Sequence, residues 1–317
     1  MDDSALVSAS DVRLMQGLAQ RVTAVRPDLV NSDASVGELA WIWGKGHAST
    51  GPSWRRRLWF AGDDLVAWGW VTLPRHLPSG KHIAHASLAY QVHPDHAKLV
   101  DEVITWYDGE TAVDRTVIAQ AADDFGLERW GAHGYVTDPA SLGDWTQLNV
   151  RELDDIEKPV LSAGFRFRTA DEAGPHAAVQ AHVDAWSSTT YNAASYDGVR
   201  QTWPYRGDLH VLVEAPDGTM AASAIIWLDE VNKTAEFEPV GTHPDYRRRG
   251  LGRALLLHGM GLAREAGAGQ MTVACLGAPE HPSARALYYG VGFRKFSQDI
   301  ALIKPGAAQP PTHTGRP

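Results

Sequence analysis

The chain has 317 residues, 44% of them hydrophobic and 21% charged, which is a globular balance and a length comfortable for two domains. Its formal net charge of −9 argues against a general nucleic-acid binder, which would carry a basic surplus. Cys275 is the single cysteine, so an intrachain disulfide and a cysteine-based zinc site are both excluded.

Taken in chain order, Ser10 and Asp11 precede Val12, Leu14, Met15, Leu18 and Val22, which predicts a capped amphipathic helix. Leu65 to Val71 reads as a buried strand after an Asp63-Asp64 turn. Ser87 to Val92 reads as a second strand and runs into His93-Pro94-Asp95-His96, before a helix carrying Leu99, Val103, Ile104 and Trp106. The second half repeats this order. Phe165 to Arg168 is a strand, Glu172 to Trp186 a helix, Met220 to Leu228 and Ala235 to Thr242 strands. A helix from about Gly250 to Ala266 follows, then a strand Met271 to Leu276, a helix Ser283 to Tyr289, and a last strand Ile300 to Ile303. Val92-His93-Pro94-Asp95-His96 answers Thr242-His243-Pro244-Asp245-Tyr246, and His133-Gly134-Tyr135 answers Val291-Gly292-Phe293. Units this long predict two similar domains rather than a solenoid. The boundary falls near Ile156 to Gly164, giving domains 1–158 and 163–304, and a Pro/Gly-rich tail, 305–317, expected to be disordered. Met1 to Ser4 lacks the pattern of a signal peptide and no apolar run is long enough to span a membrane, so a cytoplasmic protein without a membrane partner is expected.

Arg247-Arg248-Arg249-Gly250-Leu251-Gly252 lies where a strand turns into a helix. A helix N-terminus offers unpaired N–H groups and a positive dipole end to phosphate oxygens, and glycines let the backbone approach closely. The turn is neither a Walker loop nor a dinucleotide fingerprint. The stretch from Glu236 to Leu256 resembles the acetyl-CoA motif of the GNAT-type N-acetyltransferases, whose core Arg/Gln-x-x-Gly-x-Gly/Ala is met by Arg247, Gly250 and Gly252. A second motif of that family, Ala-x-x-Leu-Tyr-x-x-x-Gly-Phe, is met by Ala284, Leu287, Tyr288, Gly292 and Phe293. The resemblance covers about Phe165 to Lys304 closely and the first half in outline. The layout is similar to that of the mycothiol synthases, which pair a weak N-terminal copy with an active C-terminal one.

The resemblance implies a mixed α/β (α+β) fold of two tandem domains, each a central mixed β-sheet flanked by helices. It implies direct acyl transfer from acetyl-CoA to the amine of a small-molecule acceptor. The backbone of Val240, Gly241 and Thr242 would meet the pantetheine arm, and Arg247, Arg248, Arg249, Gly250, Leu251, Gly252 and Arg253 would surround the pyrophosphate. Tyr288 would protonate the departing thiolate. Glu236 or Glu238 would deprotonate the amine; the competing account of that pair is an edge strand with charges facing water. Where the family often has Asn this chain has His281, so His281 or Ser283 would take over a CoA contact. The first half has no Arg-x-x-Gly-x-Gly, and Ala86 and Leu88 answer Glu236 and Glu238, so its copy is expected to be degenerate.

The 14 histidines show no metal-ligand spacing, so no metal is expected. Cys275 is expected to pack as a small hydrophobe. The tryptophans of the first half are expected to serve its core or an interface, and Arg55-Arg56-Arg57 to be solvated. Trp186, Ser187, Ser188, Thr189, Tyr191, Asn192, Tyr196, Trp203 and Tyr205 form a polar-aromatic stretch suited to an acceptor pocket. A protein acetyltransferase and a non-catalytic acyl-CoA-binding module are the rival readings. Monomer and homodimer are left open.

Overall fold

The computed structural model describes residues 7–77, 80–141, 145–187 and 190–306; Ser188, Thr189 and the tail from 307 lie outside the described residues. In the first half, α1 (Ala9–Val25) is capped by Ser8, two residues before the expected cap, with Asp11 completing a reciprocal pair of hydrogen bonds to it. Helix α2 (Val36–Gly46), which the sequence pattern did not announce, is capped by Ser35. Strands β1 (Trp54–Ala61) and β2 (Asp64–Thr72) form a hairpin, followed by a short pair, β3 (Arg75–His76) and β4 (His82–Ile83). Then come β5 (Ala86–Val92), a 3-10 turn, α3 (Val100–Glu110), β6 (Arg115–Gln120), α4 (Asp124–Ala132), β7 (Val136–Thr137) and β8 (Thr146–Glu152).

The second half runs β9 (Arg166–Thr169), α5 (Ala170–Ala173), α6 (Pro175–Trp186), α7 (Ala193–Arg200), β10 (His210–Glu214), β11 (Met220–Asp229) and β12 (Thr234–Thr242). It continues with α8 (Leu251–Glu265), β13 (Gln270–Leu276), α9 (Pro282–Gly290) and β14 (Arg294–Lys304). The single helix expected from Glu172 to Trp186 is two, because Gly174 takes φ +84° and Pro175 restarts the chain as a helix N-terminus.

The repeat is visible in the backbone chemistry. His93 Nδ1 accepts from Asp95 N at 3.2 Å, and His243 Nδ1 accepts from Asp245 N at 3.1 Å. Helices α4 and α9 end alike: Tyr135 N donates to Trp130 O and Phe293 N to Tyr288 O, both at 3.1 Å. The glycines between, Gly134 and Gly292, sit at φ +83° and +89°, which only glycine adopts without strain.

All the main strands form one mixed sheet in the order β1-β2-β5-β6-β14-β8-β13-β12-β11-β10-β9, with β7 beside β14. The centre of that order is an exchange. Strand β8 leaves the first half to pair with β13 of the second, Gln270 opposite Glu152 through Leu276 opposite Thr146. Strand β14 of the second half pairs with β6 of the first and with β8. Each half is thus completed by a strand that the other half's chain supplies.

Apolar cores lie on both sides of this sheet. Phe237, Leu255, Leu256, Met260 and Val273 pack under α8, and Val103, Ile104, Tyr107, Val117 and Trp130 pack under α3 and α4. Trp54, Trp68 and Trp70 pack with α1, as expected of core tryptophans, whereas Trp41 joins Tyr191, Tyr196 and Trp227 of the second half. The halves are tied by buried polar contacts, among them Gln20 Nε2 to Asp229 Oδ1 at 2.6 Å and Gln16 Nε2 to Trp203 O at 2.8 Å. Helices α2 and α7 cross at Gly44 and Gly198, where a Cβ on Gly198 would stand 2.1 Å from Gly44 O. In the arginine run of β1, Arg56 pairs with Asp11 at 2.6 Å and Arg57 lies over Trp59, so these side chains serve the fold. No described helix is long and apolar enough to cross a membrane.

Candidate active site

The site is built around the parting of two parallel strands. Strands β12 and β13 are paired only from Thr234 opposite Gln270 to Phe237 opposite Val273. Beyond that point β12 stays on β11 as far as Thr242, and β13 stays on β8 as far as Leu276. The two inner edges therefore diverge into a wedge, and the backbone of Val240, Gly241 and Thr242 faces it without a strand partner on that side. A bulge helps to turn β12 away: its register on β11 shifts between Ala224 and Ile226, opposite Glu238-Pro239. Pro239, with no N–H to lose, fits such a place.

At the mouth of the wedge the chain forms the turn that precedes α8. Arg248 and Gly250 take φ +64° and +75°, and Gly250 is the N-cap of a helix whose first turn contains no acidic residue. The N–H groups of Leu251, Gly252 and Arg253 open this helix and face outward, with the dipole's positive end behind them. The arginines are held differently. Arg247 is a staple, donating to Thr242 O at 3.1 Å and to Ala185 O at 3.2 Å. Arg249 lies 5.2 Å from the centroid of the Tyr246 ring, and Arg253 pairs with Glu157 at 2.7 Å. That pair is exposed, worth little, and leaves the guanidinium within reach of a phosphate. The glycines carry packing duties too. A Cβ on Gly252 would meet Leu287 at 3.2 Å, and one on Gly241 would meet Ala185 and the Trp186 indole at 2.7 and 2.9 Å. Gly241 is thus the point where α6 lies on β12.

Helix α9 closes the far side. Tyr288 is 6% exposed, packs edge-on against Phe293, and burial together with the charges of Glu238 and Cys275 pushes its hydroxyl up, so it stays protonated. Cys275 is buried as expected, and its Sγ accepts from Asn149 Nδ2 of the exchanged strand at 3.3 Å. His281 is the N-cap of α9 and Ser283 lies in its first turn; both are exposed.

Glu236 and Glu238 lie on one face of β12, with Phe237 on the other. Because β12 lies between β11 and β13, the account of an edge strand bathed in water does not hold. Ser35 Oγ donates to Glu236 Oε1 at 2.8 Å and Gly37 N donates to Oε2 at 3.1 Å. Burial lifts Glu236 to about 7, against those two hydrogen bonds. Glu238 is also lifted to about 7, by burial first, with Lys45 opposing and Glu236 assisting. The backbone oxygen of Glu238 accepts from Trp227 Nε1 at 2.6 Å.

Sequence reasoning did not find the third wall. Ser35, Gly37, Glu38 and Lys45 belong to the first half and reach the second through α2. Gly37 was the available signal: a Cβ there would stand 2.6 Å from both Glu236 Oε2 and Trp227 Cδ1, a contact only glycine permits. Burial raises Glu38 well above the usual carboxylate range, with the charge of Glu238 adding to the effect. Of the polar-aromatic stretch, Tyr191 and Tyr196 are buried against Trp41, and Trp186 is 55% exposed beside the wedge. Asn192 caps α7, and Tyr205 bridges the Tyr196 hydroxyl and His210 at 2.7 and 3.2 Å. Among the described residues no group of His, Cys, Asp or Glu is arranged to hold a metal ion.

The model of the acetyltransferase (GNAT) family matches residues 177–293, which span the wedge, the Gly250 turn and Tyr288. Over those residues the second half carries the sequence pattern of a GNAT acetyltransferase domain. The whole chain has the tandem GNAT fold. It superposes on a tandem GNAT protein from the clavulanic acid biosynthesis pathway with a TM-score of 0.64 at 14% identity, covering 96% of this chain and 99% of that one. A GCN5-related N-acetyltransferase from Sphaerobacter thermophilus gives 0.58 at 19% identity, covering 96% of each. A GNAT-family acetyltransferase from Colwellia psychrerythraea gives 0.56 at 11%, covering 94% and 98%. At such identities the likeness is one of fold. A search of curated proteins gave no significant match.

Proposed function

We propose that this GNAT protein moves an acetyl or similar acyl group from acyl-CoA directly to the amine of a small molecule. The observation that carries the reading is the meeting of three features at one wedge: an unpartnered strand edge, a glycine turn opening a helix, and a buried tyrosine near a half-buried glutamate pair. Acyl-CoA would lie with its pyrophosphate on the N–H groups from Arg248 to Arg253 and its pantetheine arm along Val240, Gly241 and Thr242, His281 or Ser283 adding a contact. The thioester would then sit between Glu238 and Tyr288.

Glu236 or Glu238, ionised, takes a proton from the acceptor ammonium, directly or through water. A cavity of about 70 Å³ beside Ser35, Glu236 and Thr272 is large enough for a water molecule. The neutral amine attacks the thioester carbonyl while backbone N–H groups on the free edge of β12 stabilise the oxyanion. The C–S bond breaks as Tyr288 gives its proton to the thiolate, and the proton shed by the acylated nitrogen restores the tyrosine, leaving a neutral amide and free CoA. Protonation of this kind is worth about 10² to 10⁴ in rate.

A small acceptor is favoured over a protein because α2 and α6 pack on β12, with α7 against them, where a peptide would need an open groove. A non-catalytic binding module would have no use for two carboxylates held near neutrality beside a buried tyrosine. The test is a panel of amines and lysine peptides with acetyl-CoA, reading free thiol. Release with small amines supports the proposal; release with peptides alone, or tight CoA binding without release for any acceptor, overturns it.

A further inference from the structure

The first half has a cavity of its own, apart from the wedge. It measures about 190 Å³ and is lined by Leu39 and Ile42 of α2 and, among others, by Trp70 of β2, Ala89 of β5 and Ile118 of β6. Glu236, Glu238 and Tyr288 take no part in it. Its lining is mostly apolar. A cavity of roughly 150 Å³ with apolar walls stays dry and can hold benzene, so this one has room for a ring with a short substituent.

Asp33, just ahead of α2, also lines the cavity and is half-buried. Asn31 Oδ1 accepts from Asp33 N at 3.0 Å, which fixes the backbone, yet the Asp33 carboxylate makes no hydrogen bond or ion pair among the described residues. Asp299, bound to the adjacent Ser32, is served differently: Ser32 Oγ and Gln120 Nε2 both donate to it, the latter at 3.0 Å. Burial pushes Asp33 up to about 6, so at neutral pH it is chiefly the anion. A carboxylate withdrawn from water without a partner is costly unless a ligand answers it.

We infer that this cavity is a binding site for a small apolar amine, its hydrocarbon part against Leu39, Ile42 and Trp70 and its ammonium on Asp33. Water alone is ill-suited to such walls. An anion would meet the like charge of Asp33, and a neutral apolar molecule would leave that charge desolvated and unpaired. Trp70, an aromatic wall, favours a cation as well. The site gives the first half, which lacks the glycine turn, a ligand of its own, and it does not depend on the acyl-transfer reading.

The experiment titrates the full-length protein calorimetrically with N,N-dimethylbenzylamine, which has no N–H to acylate. Benzyl alcohol and benzoate serve as its neutral and anionic counterparts. One amine should bind per chain, roughly tenfold or more tighter than the alcohol, the order of one charge-assisted contact, and benzoate more weakly still. D33N should bring the amine down to the affinity of the alcohol and leave the alcohol unchanged. A89L, which fills the cavity and keeps Asp33, should weaken amine and alcohol alike, and it decides the matter should D33N fail to fold. The amine should also raise the melting temperature of the parent protein and not that of D33N. An amine that binds no tighter than the alcohol, or no binding of either, would overturn the inference. So would amine affinity unchanged in D33N or in A89L, since the molecule would then be sitting elsewhere, the acyl-transfer site included.

Discussion

Trp130 and Tyr288 occupy the same position of the same helix, since α4 and α9 correspond residue for residue across the repeat. In the second half that position holds a buried hydroxyl beside Glu238 and Cys275. In the first it holds an indole whose Nε1 donates to the Tyr90 hydroxyl at 2.9 Å, with both rings buried. Tyr90 itself answers Val240. Strands β5 and β6 part beyond Leu88 and Val117 much as β12 and β13 part beyond Phe237 and Val273, but beyond that point the first half carries this buried aromatic pair. The helix openings differ in the same sense. Helix α8 starts from a glycine at φ +75° without acidic residues, whereas α3 follows directly on a 3-10 turn and starts with Asp101 and Glu102. A phosphate would meet donors and a positive dipole end at one and carboxylates at the other. On the function proposed above, one backbone serves as a site in one half and as a scaffold in the other, and the scaffold half lends α2 to the site.

The comparison can be broken most severely by separating the halves. Residues 163–317 expressed alone lack β8, so β13 and β14 lose their shared partner and the buried Asn149 contacts to Val273 and Cys275 disappear. This fragment should show no cooperative thermal unfolding by circular dichroism; a sharp transition near that of the full chain would show that the exchange is dispensable.

Next in size is the pair of substitutions at the equivalent positions. Tyr288→Phe should lower kcat by about 10² to 10⁴ with little change in melting temperature. Trp130→Phe should do the reverse, costing about 2 kcal/mol through the lost indole volume and the orphaned Tyr90 hydroxyl, with acyl transfer preserved. If Tyr288→Phe retained full kcat, Tyr288 would not be the acid.

The smallest expected effects are those of pH. A base lifted to about 7 must be ionised to work, so kcat/KM should rise up to tenfold per pH unit below 7 and level off above it. Stability runs the other way. A carboxyl whose folded value lies above its ordinary 4.5 binds more protons in the native state, so its favourable contribution is complete below about 4.5 and is lost as pH rises to about 7. Glu238→Gln should therefore melt higher than the parent protein at pH 8, by about 1 kcal/mol, and the difference should close toward pH 4. Equal stability at pH 8 would show that Glu238 carries no burial strain.

Much of this was legible in the sequence because it is local. The turn at Gly250, the twin His-Pro-Asp caps and the two glycines at 134 and 292 are each fixed by residues within a few positions, and their conformations follow from residue type. The exchange of β8 and β14 was not, since alternation identifies a strand and says nothing about which sheet receives it. Nor was α2: two of its glycines, Gly37 and Gly44, dilute the helical pattern, and both are there because another element passes too close for a side chain. Glu38 and Lys45 went unseen for the same reason, being some 200 residues from the strand they face.

The claim of one working site is tested most directly by the stoichiometry of CoA binding in a calorimetric titration of the full chain. One molecule should bind per chain, with affinity lost in Gly250→Val, where a β-branched residue cannot hold φ +75°, and kept in Trp130→Phe. Two molecules per chain, or a single one indifferent to Gly250→Val, would contradict the account.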